Sequence, residues 1–119
     1  MKTAASIAVA LIALLHVYIL VLEMFLWDKP RGRRAFGLTQ EFATASKTLA
    51  ANQGLYNGFL AAGLVWGLAW PAGGVAVMIF FLACIIVAGV YGAATANRKI
   101  LFIQAIPAAI ALALVLLAY

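Results

Sequence analysis

Apolar residues run along this chain in four long stretches separated by short polar ones. Residues 4–27, 48–70, 73–95 and 100–118 each offer the roughly 20 apolar positions that an α-helix needs to cross a bilayer core. Between the second and third stretches stands "WPAGG", Trp70 to Gly74, a turn of helix breakers short enough to force antiparallel neighbours. The link between the third and fourth, "ATANRKI", is also short. The first loop is longer and reads "DKPRGRRAFGLTQEFATASK". Pro30 and Gly32 are expected to stop the first helix, and Gly37 followed by Thr39 reads as a turn and an N-cap. Gln40 and Glu41 then fall in a first turn, where negative charge is favoured. The second helix should start near Gln40, enter the apolar region near Thr48 and run about 30 residues.

These elements predict a single all-α domain over residues 1–119, an integral membrane four-helix bundle. Composition agrees: of 119 residues 68% are hydrophobic and 9% charged, and the mean hydropathy is +1.14. So few polar residues could not cover a soluble domain of this size. The net charge of +5 raises the question of nucleic acid. The basic residues, however, sit in two short loops without an aromatic-interleaved basic face, so nucleic acid is not the expected partner. Membrane orientation explains them better. Lys29, Arg31, Arg33, Arg34, Lys47, Arg98 and Lys99 lie on one side of the proposed topology and only Lys2 on the other. The bias places loops 28–47 and 96–99 in the cytoplasm and both termini outside, in a multi-pass cell-membrane protein. Trp27, Trp70 and Tyr119 fall at the expected interfaces. The first apolar run is too long for a cleaved signal core and is followed by "WDKPRGRR" rather than a small-residue cleavage site, so it is read as a retained span.

The candidate chemistry lies in the polar residues of these spans. His16 and Glu23 are seven positions apart, two helical turns, and share a face within about 20° while standing roughly 10 Å apart along the axis. Trp27 continues the stripe. A carboxylate in hydrocarbon is costly, so the stripe should face protein or water. The second span opens with "NQGLYNG", in which Gln53 and Asn57 share one face and Asn52 and Tyr56 another. Antiparallel packing would bring these to the depth of Glu23, near the cytoplasmic leaflet. A polar pocket of Glu23, Asn52, Gln53 and Asn57 follows, with His16 deeper and Tyr56, Tyr91 and Gln104 as further members. A single amide would be no more than structural glue, at about 0.6–2 kcal/mol per interhelical hydrogen bond. Five polar groups with a Glu and a His exceed what packing needs, so a ligand or proton site is expected there.

Other chemistries have less to stand on. One His and one Glu two turns apart lack a third ligand, so no metal site is expected. Ser6, Ser46 and Cys84 have no evident His partner for nucleophilic catalysis, and Cys84 reads as a small buried hydrophobe. No cofactor can be named. Two glycine pairs, Gly54 with Gly58 and Gly63 with Gly67, are small-xxx-small patterns on roughly opposite faces of the second helix. That helix should therefore pack on two sides, within the bundle or against another copy of the chain, and a homo-oligomer is expected. "RGRRAFG" orients the protein and contacts anionic lipid, with Arg31, Arg33, Arg34 and Arg98 available to an anionic group.

With "HVYILVLEMFLW", "PRGRRAFGL", "LAANQGLYNGFLAAGLVWG" and "NRK" in place, nearly the whole chain resembles a bacterial family of small four-span membrane proteins catalogued as a domain of unknown function. "NQGLYNGFLAAGL" is the most specific part. The resemblance implies the architecture and no activity. In a lesser degree the chain is similar to the MAPEG family, glutathione-using membrane enzymes that form trimers of four-helix subunits. Their second-span motif is Arg-Ala-His-x-Asn-x-x-Glu. Here Ala50 stands for the Arg, Asn52 for the His, Gly54 for the Asn and Asn57 for the Glu, so the fold likeness outlasts the chemical one. The chain also resembles the small multidrug resistance family in size and in having a Glu in its first span. Those transporters couple export to protonation of that Glu, but here the charge bias is stronger and the Glu lies nearer the span's end.

The expected function is binding of a small molecule or lipid headgroup in this polar pocket. Glu23 would carry the charge or proton, and Asn52, Gln53 and Asn57 would fix orientation. A proton-coupled transporter and a MAPEG-like enzyme with a thiol cofactor are the alternatives, and the sequence does not decide whether the protein is an enzyme.

Overall fold

The computed structural model describes all residues from Met1 to Tyr119. It is all-α. Helix α1 spans Lys2–Phe25, α2 spans Pro30–Phe36, α3 spans Gln40–Ala69 and α4 spans Gly74–Thr95. A π-helical turn, Leu101–Ala105, leads into α5, Ile106–Ala118. Three segments are long and apolar enough to cross a membrane: Lys2–Phe25, Gly74–Thr95 and Leu101–Ala118. The chain is therefore a membrane protein. The expected fourth span lies in α3, which has the length, 30 residues, but is diluted between Gln40 and Asn57 by Gln40, Glu41, Lys47, Asn52, Gln53 and Asn57.

The start of α3 is as the sequence indicated. The Thr39 hydroxyl accepts the Phe42 amide at 3.1 Å, an N-cap, and the helix runs unbroken from Gln40. The first loop is not as expected. Pro30 does not merely stop α1, which has already ended at Phe25; it occupies the first turn of α2, where its fixed φ and missing N–H are tolerated. Gly32 is buried against the Leu26 carbonyl, where a Cβ would collide with backbone. Gly37 closes α2 in the left-handed region, φ 66°, with its own amide and that of Leu38 turned onto the Arg33 carbonyl.

The residues group into two units. One comprises residues 14–61 and the other residues 1–13 with 62–119. In the first, the latter part of α1 meets the first part of α3 through small residues. A Cβ on Gly54 would come within 2.7 Å of Met24 Cγ and 3.0 Å of Glu23 Cβ, and one on Gly58 within 2.6 Å of Leu20 Cδ1. Beyond α1 the chain is clasped to α3. The Trp27 indole Nε1 donates to Ser46 Oγ at 3.0 Å, and Ser46 Oγ donates to the Phe42 carbonyl at 2.6 Å. The Trp27 ring lies 4.8 Å from that of Phe36, and Lys47 Nζ pairs with Asp28 Oδ2 at 3.1 Å. That hydrogen bond to Lys47 holds the Asp28 carboxyl below its ordinary value.

In the second unit α4 packs on the π turn and α5. Met78, Leu82, Ile85 and Gly89 form its buried stripe at helical spacing. Ala105, Ala108, Ala111 and Val115 answer from the other side. Gly89 lets the chains approach so closely that a Cβ there would sit 2.7 Å from the Ala105 amide. Gly63 faces the Phe81 ring and Gly67 faces Gly74, with no room for a Cβ on Gly74 beside the Gly67 carbonyl. Both glycine pairs of α3 thus meet neighbours in this same chain, so they carry no argument for an oligomer. The π turn was not expected. The Ile106 amide reaches back to the Leu101 carbonyl, five residues earlier. Pro107 follows without an amide hydrogen to continue the ordinary ladder, and the wider turn absorbs that loss.

Two outcomes follow. Gly74→Ala should lower stability by about 1–3 kcal/mol, the cost of overpacking, whereas Leu117→Ala, at an exposed position, should stay within about 0.5 kcal/mol; thermal unfolding in detergent micelles measures both. Because the Asp28 value is lowered in the folded protein, its pairing stabilises above the ordinary value of 3.8 and is lost as pH falls through the lower folded-state value. Lys47→Met should therefore flatten the decline of the thermal midpoint in that acid range.

Candidate functional site

The first unit holds the chain's intramembrane carboxylate. Along α1 the buried residues His16 and Glu23 fall on one stripe, as their seven-residue spacing requires. Along α3 the facing stripe is Ala43, Ala50, Gly54, Asn57 and Ala61, all buried, at intervals of seven, four, three and four residues. Every member but Asn57 has no side chain or a single methyl. Asn57 is thus the one residue of that stripe with a side chain long and polar enough to reach across.

It does so. Asn57 Nδ2 donates to Glu23 Oε1 at 2.6 Å and to the Gln53 backbone carbonyl at 3.2 Å. These two bonds use both amide hydrogens and fix the side chain's orientation. The Gln53 contact anchors the amide to its own helix, so the group that meets Glu23 is held and not swinging. Glu23 is 8% exposed and Asn57 6%. Lys47 pairs with Asp28, and no lysine or arginine nitrogen lies within 4.0 Å of the Glu23 carboxylate. A buried carboxylate with a hydrogen bond but no basic counter-charge has one acceptor oxygen engaged and its charge uncompensated.

The remaining expected members are placed differently. Asn52 is exposed and returns its amide to the Thr48 carbonyl of its own helix at 2.9 Å. Gln53 is exposed and contributes its backbone carbonyl alone to the pair. Tyr56 is exposed, its ring 6.1 Å from that of Phe59. The cluster of four polar side chains around Glu23 thus reduces to a pair, because the stripe facing α1 runs through residues 50, 54 and 57 and leaves 52 and 56 well around the helix. His16 is fully buried. Tyr91 and Gln104 belong to the other unit: Tyr91 is exposed on α4, and Gln104 is half-buried in the π turn.

Of the expected anion-contacting residues, Arg31, Arg34 and Arg98 are exposed and Arg33 is half-buried. Arg33 and Arg34 line one hollow with Pro30, Gly37 and Leu38. The clasp of Trp27, Ser46, Asp28 and Lys47 that positions this segment was missed at the level of sequence. The one available signal was Trp27, whose indole N–H needs a partner when the ring is withdrawn from water.

A family described as "Protein of unknown function (DUF1304)" matches residues 10–116. The chain is 34% identical over 96 residues to the "Uncharacterized protein YpaA" of Lactococcus lactis, covering 79% of this chain and 81% of that protein. No solved structure matches the chain. The lesser likeness to the MAPEG family finds no support in these matches, and Asn52, at its His position, turns away from Glu23. With residues 10–116 matched and a relative 34% identical over about four fifths of both chains, the chain belongs to the DUF1304 family.

Proposed function

We propose that this membrane protein binds a small polar molecule or lipid headgroup through the Glu23–Asn57 pair, near the cytoplasmic leaflet. In this reading α3 supplies a fourth span, the basic segments 28–47 and 96–99 face the cytoplasm, both termini lie outside and the host is the cell membrane. The observation that carries the proposal is a buried carboxylate held by one oriented amide with no lysine or arginine nitrogen within 4.0 Å. A structural ion pair would come with its counter-charge. Here the counter-charge is left for a ligand: an ammonium or another hydrogen-bond donor would complete the carboxylate while Asn57 fixes its rotamer. Gly54, beside Glu23 Cβ, lets α3 approach α1 closely enough for Asn57 to reach the carboxylate.

The same uncompensated carboxylate favours one second reading, a small proton-coupled carrier in which Glu23 takes up and releases the exchanged proton. Ligand binding and transport separate by experiment.

For binding, the protein is extracted from native membranes with mild detergent and weighed intact by native mass spectrometry. A retained small molecule or lipid should be present on the native chain and reduced about tenfold or more by Glu23→Gln or Asn57→Ala, the loss expected of a hydrogen-bonded charged contact. Retention unchanged in both variants would overturn the binding site. For transport, proteoliposomes carrying a pH gradient should show substrate-dependent proton flux that Glu23→Gln abolishes; flux that survives in the variant rules out the carrier.

A further inference from the structure

The hollow at the end of α2 carries a second site, independent of the Glu23–Asn57 reading. It is a shallow, largely open hollow of about 410 Å³ lined by Pro30, Arg33, Arg34, Gly37 and Leu38. The two arginines at its wall are unneutralised: the ion pair of the chain is Lys47 with Asp28, and no carboxylate lies within 4.0 Å of either guanidinium. Arg34 is fixed at its base, Nε donating to the Pro30 carbonyl at 3.4 Å, which leaves the outer guanidinium nitrogens to project. Arg33 is half-buried, and its Nε is shut off from solvent without a hydrogen-bond acceptor. Two neighbouring guanidinium groups without a carboxylate partner call for an explanation.

The position of the hollow supplies one. Helix α1 is about 36 Å long at 1.5 Å per residue, somewhat more than the roughly 30 Å of a hydrocarbon core. The segment after Phe25 therefore emerges among headgroups, and Trp27 beside it is the side chain that settles at that depth. α2 begins four residues later. Its hollow sets two guanidinium groups against an apolar wall of Pro30 and Leu38, a surface that fits an ionic head joined to something greasy. Lys29 and Arg31 add positive charge nearby. Gly37, in its left-handed conformation with nothing within 4 Å of where a Cβ would stand, keeps one side of the hollow low.

We propose that this hollow binds a phosphate group, free or esterified, with Arg33 and Arg34 donating to its oxygens. Planar guanidinium forks match phosphate oxygens two at a time, which an ammonium does not. An acidic phospholipid headgroup and free phosphate share this chemistry, and the test separates them.

The full-length protein in detergent is titrated with short-chain phosphatidylglycerol, with phosphatidylcholine of the same chain length and with inorganic phosphate, and binding is read by native mass spectrometry and thermal shift. Phosphatidylglycerol should bind more tightly than phosphatidylcholine. Arg33→Lys, which keeps the charge and removes the fork of terminal nitrogens, should weaken it by about tenfold. Arg31→Lys, outside the hollow, should change it less than about twofold by the same reasoning. Arg34→Lys, at an exposed position, carries the same expectation as Arg33→Lys and decides the matter if the latter fails to fold. Binding of inorganic phosphate with the same dependence on Arg33 and Arg34 keeps the site and assigns a soluble source. Equal affinities for the Arg31, Arg33 and Arg34 variants would mean diffuse attraction to net charge and overturn the proposal.

Discussion

Helices in lipid gain little from hiding apolar side chains from one another, because the acyl chains are as apolar as leucine. What holds this chain together is how closely its backbones approach, and glycine and alanine set that distance. Gly54 and Gly58 bring α3 against Leu20, Glu23 and Met24 in one unit. In the other, Gly67 lies on Gly74 and Gly89 on Ala105. Each of these contacts is nearer than any side chain would allow. They also determine where polar chemistry can occur: α3 can bring an amide to a carboxylate on α1 because every other residue of its facing stripe is small. The 2.6 Å bond between Asn57 and Glu23 is a product of that approach.

The polar groups of residues 14–61 divide into two kinds. Within the span of α1, the carboxylate is held by a neutral amide and left without a cation. Past its end, a clasp of one indole, one hydroxyl and one ion pair ties the chain to α3, and the arginines of α2 stand free of carboxylates. Asp28 is neutralised by Lys47, whereas Glu23 and the arginines of α2, within 14 residues of sequence, do not pair with one another. A purely structural hairpin at a membrane surface would gain by pairing them.

Much of this was readable from residue spacing. The extent of α3 followed from Gly37, Thr39 and the first polar turn, and the shared face of His16 and Glu23 from a separation of two turns. The two-sided packing of α3 followed from its glycine pairs, and Asn57 was among the residues expected beside Glu23. Other features depended on contacts that spacing does not encode. Asn52 and Asn57 are the same residue type five positions apart in a helix with weak apolar–polar asymmetry, so nothing local says which of them faces α1. Pro30 can end one helix or begin another, and the choice here depends on Gly32 meeting the Leu26 carbonyl, a contact made only after the chain has turned. Three of the four expected spans qualify by apolarity. The fourth stretch, residues 48–70, falls within α3, whose opening part carries exposed polar residues and does not qualify.

The turn at Leu101–Ala105 fits five residues where a regular helix would fit about four. An ordinary helix that gains or loses one residue swings everything downstream by about 100°. A π turn is already such a gain, absorbed locally. Length changes of a single residue before Pro107 can therefore interconvert the two kinds of turn while Ala108, Ala111 and Val115 keep their facing, which makes this the place in the last span where homologous chains can differ by an insertion without repacking.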